Sequence, residues 1–265
     1  PLEIWKKQEV ILKEQGLWDI FELESRLQNV TLDMRFKGVR IDMDEAEKLN
    51  DLCLSQEAKL LTQLRDDCGH VVECWSADDL SKAFDKLGIW YPRTNRGNPS
   101  FTSDWLSSHD HSFAKQVSEW RKVNKMRRDF IEGICLKQSY NGRIHAQFHA
   151  LRKDADGTRT GRFSSSTPNL QQIPARDPHW GPLIRKLFLP DEGKQWACLD
   201  YSQQEPRVLM HYAALRGLRG AQEAVDQYNN DPDTDFHQIV ADMAGISRKQ
   251  AKTINLGMFY GMGIY

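Results

Sequence analysis

The hydrophobic rhythm of this chain changes once, near residue 140, and that change limits the folds open to it. Before it, apolar residues recur at helical intervals: Ile11, Leu12, Leu17, Ile20, Phe21, Leu23, Leu27, Val30, Leu32 and Met34 predict helices over about 3–35. Lys37-Gly38-Val39-Arg40-Ile41-Asp42 reads as a turn with a short extended piece. Asp42 is placed to cap a long helix over about 43–66, whose apolar stripe is Leu49, Leu52, Leu60, Leu61 and Leu64 and which Cys68-Gly69 ends. Further helices are predicted over 76–87, stopped by Gly88, and over about 112–134. Then Asn141-Gly142 signals a hairpin turn, and Ile144, Ala146, Phe148 and Ala150 alternate with Arg143, His145, Gln147 and His149 at the period of a strand. Leu187-Phe188-Leu189 and Trp196-Ala197-Cys198-Leu199 are two more short strand candidates, and helices return after about 203. Helices, then a sheet, then helices make an α+β protein.

Charge excludes one simple reading. The 36 basic residues are matched by 37 acidic ones, so no global basic field marks a nucleic-acid binder, and any such binding must come from local clusters. Two are present. The loop Pro92-Arg93-Thr94-Asn95-Arg96-Gly97-Asn98-Pro99 is followed by a helix carrying Lys115, Arg121, Lys122, Lys125, Arg127 and Arg128 with few acids. This pair fits a grip on a phosphate backbone, and it fits a solvated surface helix as well. Five cysteines without a regular framework argue for a reducing compartment. Cys68, His70 and Cys74 match no standard zinc spacing and have no evident fourth ligand. No signal peptide or apolar run approaching a membrane span is found, so a soluble cytosolic protein is expected, without a membrane partner. The chain opens at Pro1 without Met and closes at Tyr265 without a polar tail, which reads as a piece of a longer protein.

Three segments carry chemistry. Arg248, Lys252, Leu256 and Tyr260 recur every four residues and follow one drifting stripe on a helix. Two cations at that spacing repel each other, so an anionic guest against them is the natural reason to keep the pair. A nucleoside triphosphate fits, its phosphates on Arg248 and Lys252 and its base toward Tyr260. The alternative is a basic face running into a buried one. Asp200 sits where the apolar run 196–199 would emerge as a buried strand, a position suited to Mg²⁺, which needs hard oxygen donors held rigidly. Ser202-Gln203-Gln204-Glu205 fits a capping box, and the Pro206 that follows would also suit a helix whose cap is Glu205. The stretch 160–174 is rich in hydrogen-bonding side chains, yet Phe163, Leu170 and Ile173 give it anchors that a flexible linker would lack. Arg, Asn and Gln on such a loop suit minor-groove acceptors and sugar–phosphate oxygens.

Together these segments resemble family A (polymerase I-like) DNA polymerases. Residues 160–174 resemble the T-G-R-L-S-S-x-x-P-N-L-Q-N-I-P signature, residues 199–211 resemble motif A, D-Y-S-Q-I-E-L-R, and residues 248–261 resemble the fingers helix of motif B, R-x-x-x-K-x-x-x-F/Y-G-x-x-Y-G. The resemblance implies a partial right-hand fold with a helical thumb, an antiparallel-sheet palm and helical fingers, truncated before the motif C hairpin. Its parts would be a helical lead-in over 1–41, a thumb over 42–135, part of the palm over 136–215 and part of the fingers over 216–265.

The implied activity is template-directed addition of deoxynucleotides to a primer 3′-OH, by in-line attack on the α-phosphate with two Mg²⁺ ions. Asp200 would bind metal, with the Tyr201 carbonyl helping. Glu205 would close the space that a ribose 2′-OH needs. Arg248 and Lys252 would hold the triphosphate, Lys252 would also protonate the departing pyrophosphate, and Tyr260 would stack near the templating position. Arg176 and His237 match positions near the triphosphate, and Arg207 a palm position that supports the site. Arg162, Asn169 and Gln171 would contact the primer-template DNA.

Departures from the pattern matter. Leu256 stands where the family has Phe or Tyr against the incoming sugar, so weaker sugar contact is expected. Pro206 replaces an aliphatic residue, and the short link Gly245-Ile246-Ser247 looks phage-like, which would put the protein in a bacterial host's cytoplasm. The second catalytic carboxylate, which the family supplies from a His-Asp-Glu motif after motif B, is missing, and His109-Asp110-His111 lies in the thumb-like region instead. The exonuclease carboxylates expected upstream of the thumb are missing too. The segment alone is therefore expected to be inactive. Two further readings are a non-catalytic primer-template binding module and a single-subunit RNA polymerase. Retention of Asp200, Glu205, Arg248 and Lys252 together argues against the first, and Glu205 as a 2′-OH gate against the second.

Overall fold

The computed structural model describes residues 1–150, 158 and 160–263, in two compact units, Pro1–Gln195 and Trp196–Tyr265. The predicted palm range, 136–215, includes 151–157 and 159, and the predicted fingers range, 216–265, includes 264 and 265, all of which lie outside the described residues.

In the first unit, α1 (Leu2–Glu14) and α2 (Trp18–Lys37) pack on each other through Trp5, Trp18 and Phe21, with ring centroids 5.1–6.4 Å apart. Neither helix buries a residue fully. Gly38 ends α2 at φ 64°, where a Cβ would come within 2.8 Å of the His145 ring, so the turn into β1 (Val39–Ile41) requires glycine. The Asp42 carboxylate accepts from the Glu45 N–H at 3.0 Å and starts α3 (Met43–Cys68), which left-handed Gly69 ends as expected.

Ser76 caps α4 (Ala77–Lys86), Thr102 caps α5 (Ser103–Ser108), and α6 (Ser112–Lys125) runs on into a π-helix, Met126–Leu136. One apolar core gathers Leu64, Leu80, Phe84, Leu106, Phe113 and Val117 between α3, α4, α5 and α6. Cys68 and Cys74 belong to this core, and burial pushes the Cys74 thiol up to about 12.

Asn141 and Gly142, at φ 49° and 70°, make the expected tight turn between β2 (Ser139–Tyr140) and β3 (Arg143–Ile144). The alternation over 143–150 does not form one strand. It splits between β3, which pairs Ile144 with Val39 of β1, and β4 (Gln147–His149), which pairs with β5 (Ser164–Ser166). β1 is three residues long, so its ladder runs out, and the chain beyond it takes a new partner. After α7 (Trp180–Lys186), β6 (Phe188–Leu189) pairs on the other side of β1, giving an antiparallel sheet ordered β2-β3-β1-β6. A second core of Ile41, Leu49, Ile131, Ile144, Trp180 and Ile184 packs this sheet against α3 and the π-helix.

The second unit holds α8 (Gln204–Leu215), α9 (Ala221–Asn230), α10 (Phe236–Ala244) and α11 (Arg248–Phe259). Two expectations fail here. Residues 196–200 are irregular, not a buried strand, and Leu199 is 94% exposed. A four-residue apolar run extends and buries only when another strand hydrogen-bonds to it, and among the described residues none does. The capping box at Ser202 is also not formed. The cap of α8 is Gln203, in the left-handed region at φ 52°, so Glu205 and Pro206 both lie inside the first turn, where proline's missing N–H costs nothing.

Candidate functional site

α11 begins at a reciprocal capping box, Ser247 with Gln250, that fixes where the stripe starts. Ala251 and Asn255 form its buried face, while Arg248, Lys252 and Tyr260 are exposed and Leu256 is half-buried. Asp235 links this helix to α10. Its carboxylate accepts from the His237 and Gln238 N–H groups at 3.0 and 3.1 Å, capping α10, and pairs with Arg248 Nε at 2.6 Å. Burial pushes the Asp235 carboxyl upward, but the Arg248 bond and the two backbone N–H groups outweigh it and hold it below the ordinary range.

His237 is 4% exposed, with its Nδ1 3.1 Å from Asn255 Nδ2. Burial holds its imidazole below the ordinary value; Asp235 and Glu205 push the other way, and Lys252 and Arg248 add to the lowering. Glu205 accepts a hydrogen bond from the Tyr260 hydroxyl, which ties the first turn of α8 to the end of α11. The second unit therefore gathers Glu205, His237, Arg248, Lys252 and Tyr260 in one neighbourhood.

Two supporting side chains, Asp235 and Gln203, were missed from sequence. Gln203 accepts from the Phe236 N–H at 3.0 Å and the Tyr228 hydroxyl at 3.2 Å and donates to the Thr234 carbonyl. Arg207 donates to the Ser202 carbonyl at 3.0 Å and stacks over Tyr228 at 4.5 Å. An Asp directly before a predicted helix was a readable signal for Asp235, whereas no pattern announced Gln203.

Asp200 and Tyr201 lie on the exposed irregular segment, Tyr201 being 82% exposed. Among the described residues no group of three His, Cys, Asp or Glu side chains could hold a metal ion. Asp200 with the Tyr201 carbonyl offers hard oxygens, but these two groups do not make a Mg²⁺ site by themselves.

In the first unit, the loop at 160–174 is built by its own side chains. Ser165, 5% exposed, donates to the Pro168 carbonyl at 3.1 Å and accepts from the Leu170 N–H. Asn169 accepts from the Gln171 N–H at 3.1 Å, and Gln171 Nε2 donates to the Phe163 carbonyl at 3.0 Å. Leu170 and Ile173 pack on the second core, but Phe163 is 41% exposed and is no anchor. Arg162 and Arg176 are exposed.

The basic helix needs a larger correction. Arg121 donates to the Cys74 and Phe101 carbonyls at 2.7 and 2.6 Å, Arg127 pairs with nearly buried Glu57 at 2.6 Å, and Lys122 pairs with Asp177 at 2.9 Å. Those three hold the fold together. Arg121 and Arg127 stand on the inward face of α6 and the π-helix, where an unpaired cation would be costly, while the Lys122 side chain stays partly exposed. Lys115 and Lys125 line an open groove of about 710 Å³, to which Arg121, Lys122, Ser103, Ser107 and Ser118 also contribute.

The family model for DNA polymerase family A matches residues 43–265. A DNA-directed DNA polymerase of Pseudomonas phage M6 is 42% identical over 99% of this chain and 42% of its own length. DNA polymerase DpoZ of Acinetobacter phage SH-Ab 15497 is 33% identical over 98% of this chain and 45% of its own. The thermostable DNA polymerase I of Thermus thermophilus is 33% identical over 96% and 31%. Among solved structures, the POL domain of Pol1 from M. smegmatis, in complex with DNA primer-template and dNTP, superposes at TM-score 0.71 and 26% identity, covering 91% of this chain and 43% of that one. This chain spans less than half the length of each of these relatives.

Proposed function

The chain belongs to DNA polymerase family A, and from that premise we propose that it supplies the nucleotide-selecting and part of the DNA-gripping surface of a template-directed DNA polymerase acting in replication. The observation that supports this most is the Glu205–Tyr260 hydrogen bond beside His237, Arg248 and Lys252. A carboxylate, a phenol, an imidazole and two cations thus share one neighbourhood of the second unit, a set of groups suited to one triphosphate.

In this reading Arg248 and Lys252 hold the phosphates and Lys252 gives a proton to the departing pyrophosphate. Glu205, fixed by Tyr260, fills the space of a ribose 2′-OH and so selects deoxynucleotides. Leu256 gives the sugar a softer contact than an aromatic ring would. Arg162, Asn169 and Gln171 meet the primer-template DNA from a loop that Ser165 and Asn169 stiffen. Mg²⁺, held by a complete donor set, supplies charge stabilisation for in-line transfer. Asp200 and the Tyr201 carbonyl are this chain's contribution, and the 265 residues alone do not extend a primer. The lead-in, thumb, palm and fingers are assigned to 1–41, 42–135, 136–215 and 216–265. The phage relatives support action in a bacterial host's cytoplasm, and among the described residues no helix is long and apolar enough to cross a membrane.

Titration of the chain with a labelled primer-template duplex, followed by dNTP, tests the reading. Duplex binding together with dNTP binding that Lys252→Ala abolishes is expected. Duplex binding with no dNTP affinity would leave only a DNA-binding module.

A further inference from the structure

We propose that Asn255 is a positioning residue which fixes the His237 ring with its proton on Nε2, so that His237 meets the incoming triphosphate as a neutral hydrogen-bond donor; this rests on the nucleotide reading above.

Asn255 and His237 are 5% and 4% exposed, on the facing sides of α11 and α10. Burying an amide and an imidazole in a helix–helix contact is unfavourable unless they bond each other, and an apolar pair would pack there at lower cost. The contact between Asn255 Nδ2 and His237 Nδ1 is 3.1 Å. An amide NH₂ group only donates, so Nδ1 must accept, and the neutral ring then carries its single proton on Nε2.

The charges facing the ring are balanced. Asp235 lies just ahead of it on the approach to α10, Glu205 faces it from α8, and Arg248 and Lys252 face it from α11. With two carboxylates set against two cations, burial decides, and it favours the uncharged ring. A neutral donor next to Arg248 and Lys252 gives direction to a phosphate oxygen without adding a third repelling cation. Asn255 makes this possible because it lies one turn beyond Ala251 on the buried face, next in sequence to Leu256 of the exposed stripe.

The test is histidine-labelled ¹⁵N spectroscopy of this chain, which reads the tautomer directly, combined with dNTP titration. Wild-type His237 is expected in the Nε2–H form, with its Nε2 signal moving on dNTP addition. Asn255→Ala should mix the tautomers and weaken dNTP binding roughly fivefold, the worth of one neutral hydrogen bond. It should cause no further loss in a His237→Ala background. Asn255→Asp keeps the packing and reverses the bond, so it should put a proton on Nδ1, which guards against misfolding of the alanine variant. A wild-type ring protonated on Nδ1, or an Asn255→Asp ring with no proton on Nδ1, would overturn the inference. Lys252-dependent dNTP binding that leaves Nε2 unmoved would overturn it while sparing the nucleotide reading. No dNTP binding at all would remove both.

Discussion

Asp235 is the residue on which the site turns, because one carboxylate both caps α10 and neutralises Arg248. The ion pair competes with any phosphate for the guanidinium. Asp235→Asn keeps a good capping side chain and removes the competing charge. Half-exposed pairs of this kind are worth up to about 1 kcal/mol, so dNTP affinity should rise by up to roughly fivefold. Affinity unchanged or lower in a fluorescence titration would show that Arg248 does not reach the phosphates. His237 gives the unit a pH dependence of known sign. Its imidazole is held below the unfolded value of about 6.5, so its contribution is complete above that pH and is lost as pH falls through it, when the unfolded chain takes the proton first. Asp235 works in a separate window: its lowered carboxyl stabilises above about 3.9, and that contribution is lost at lower pH. Thermal melts should therefore show a midpoint that falls below neutrality and a shallower fall in His237→Gln.

At the scale of elements, much was readable because it depends on neighbours in sequence. Asp42, Ser76 and the Asn141-Gly142 turn acted as their local chemistry predicts. The α11 capping box was there to be read in Ser247-Arg248-Lys249-Gln250. Other features depend on partners far along the chain and left no local trace. The inward use of Arg121 and Arg127 is set by Cys74, Phe101 and Glu57, and the Asn255–His237 bond spans two helices. The π-helix is a further case, since nothing in the period of 112–134 marked the widened turns. Gly133 is what the widening requires: a Cβ there would lie 2.5 Å from the Arg128 carbonyl oxygen. Gly133→Ala should destabilise the first unit by about 1–3 kcal/mol, as overpacking does, despite alanine's better helix propensity. A neutral or stabilising result in denaturant melts would mean that the π-helix gives way easily.

For the whole molecule, the two compact units meet in sequence at an irregular, exposed stretch, 192–202. Limited proteolysis should cut there first and release the α8–α11 unit, whereas first cuts inside α3 or α6 would contradict the division. The α+β class was legible from the change of rhythm near residue 140, and the family from three motifs, because motif chemistry survives in a part as well as in a whole. The strand expected at 196–199 was not, because burial of a strand is decided by its partners.

The central claim, that Asp200 and the α11 stripe serve nucleotide addition, is tested most directly by primer extension. This chain would be joined to the part of its phage M6 relative that follows the matched region, and compared with its Asp200→Ala variant and with the 265 residues alone. The account predicts extension by the joined protein, none after Asp200→Ala, and none from the 265 residues. Extension that survives Asp200→Ala would contradict it.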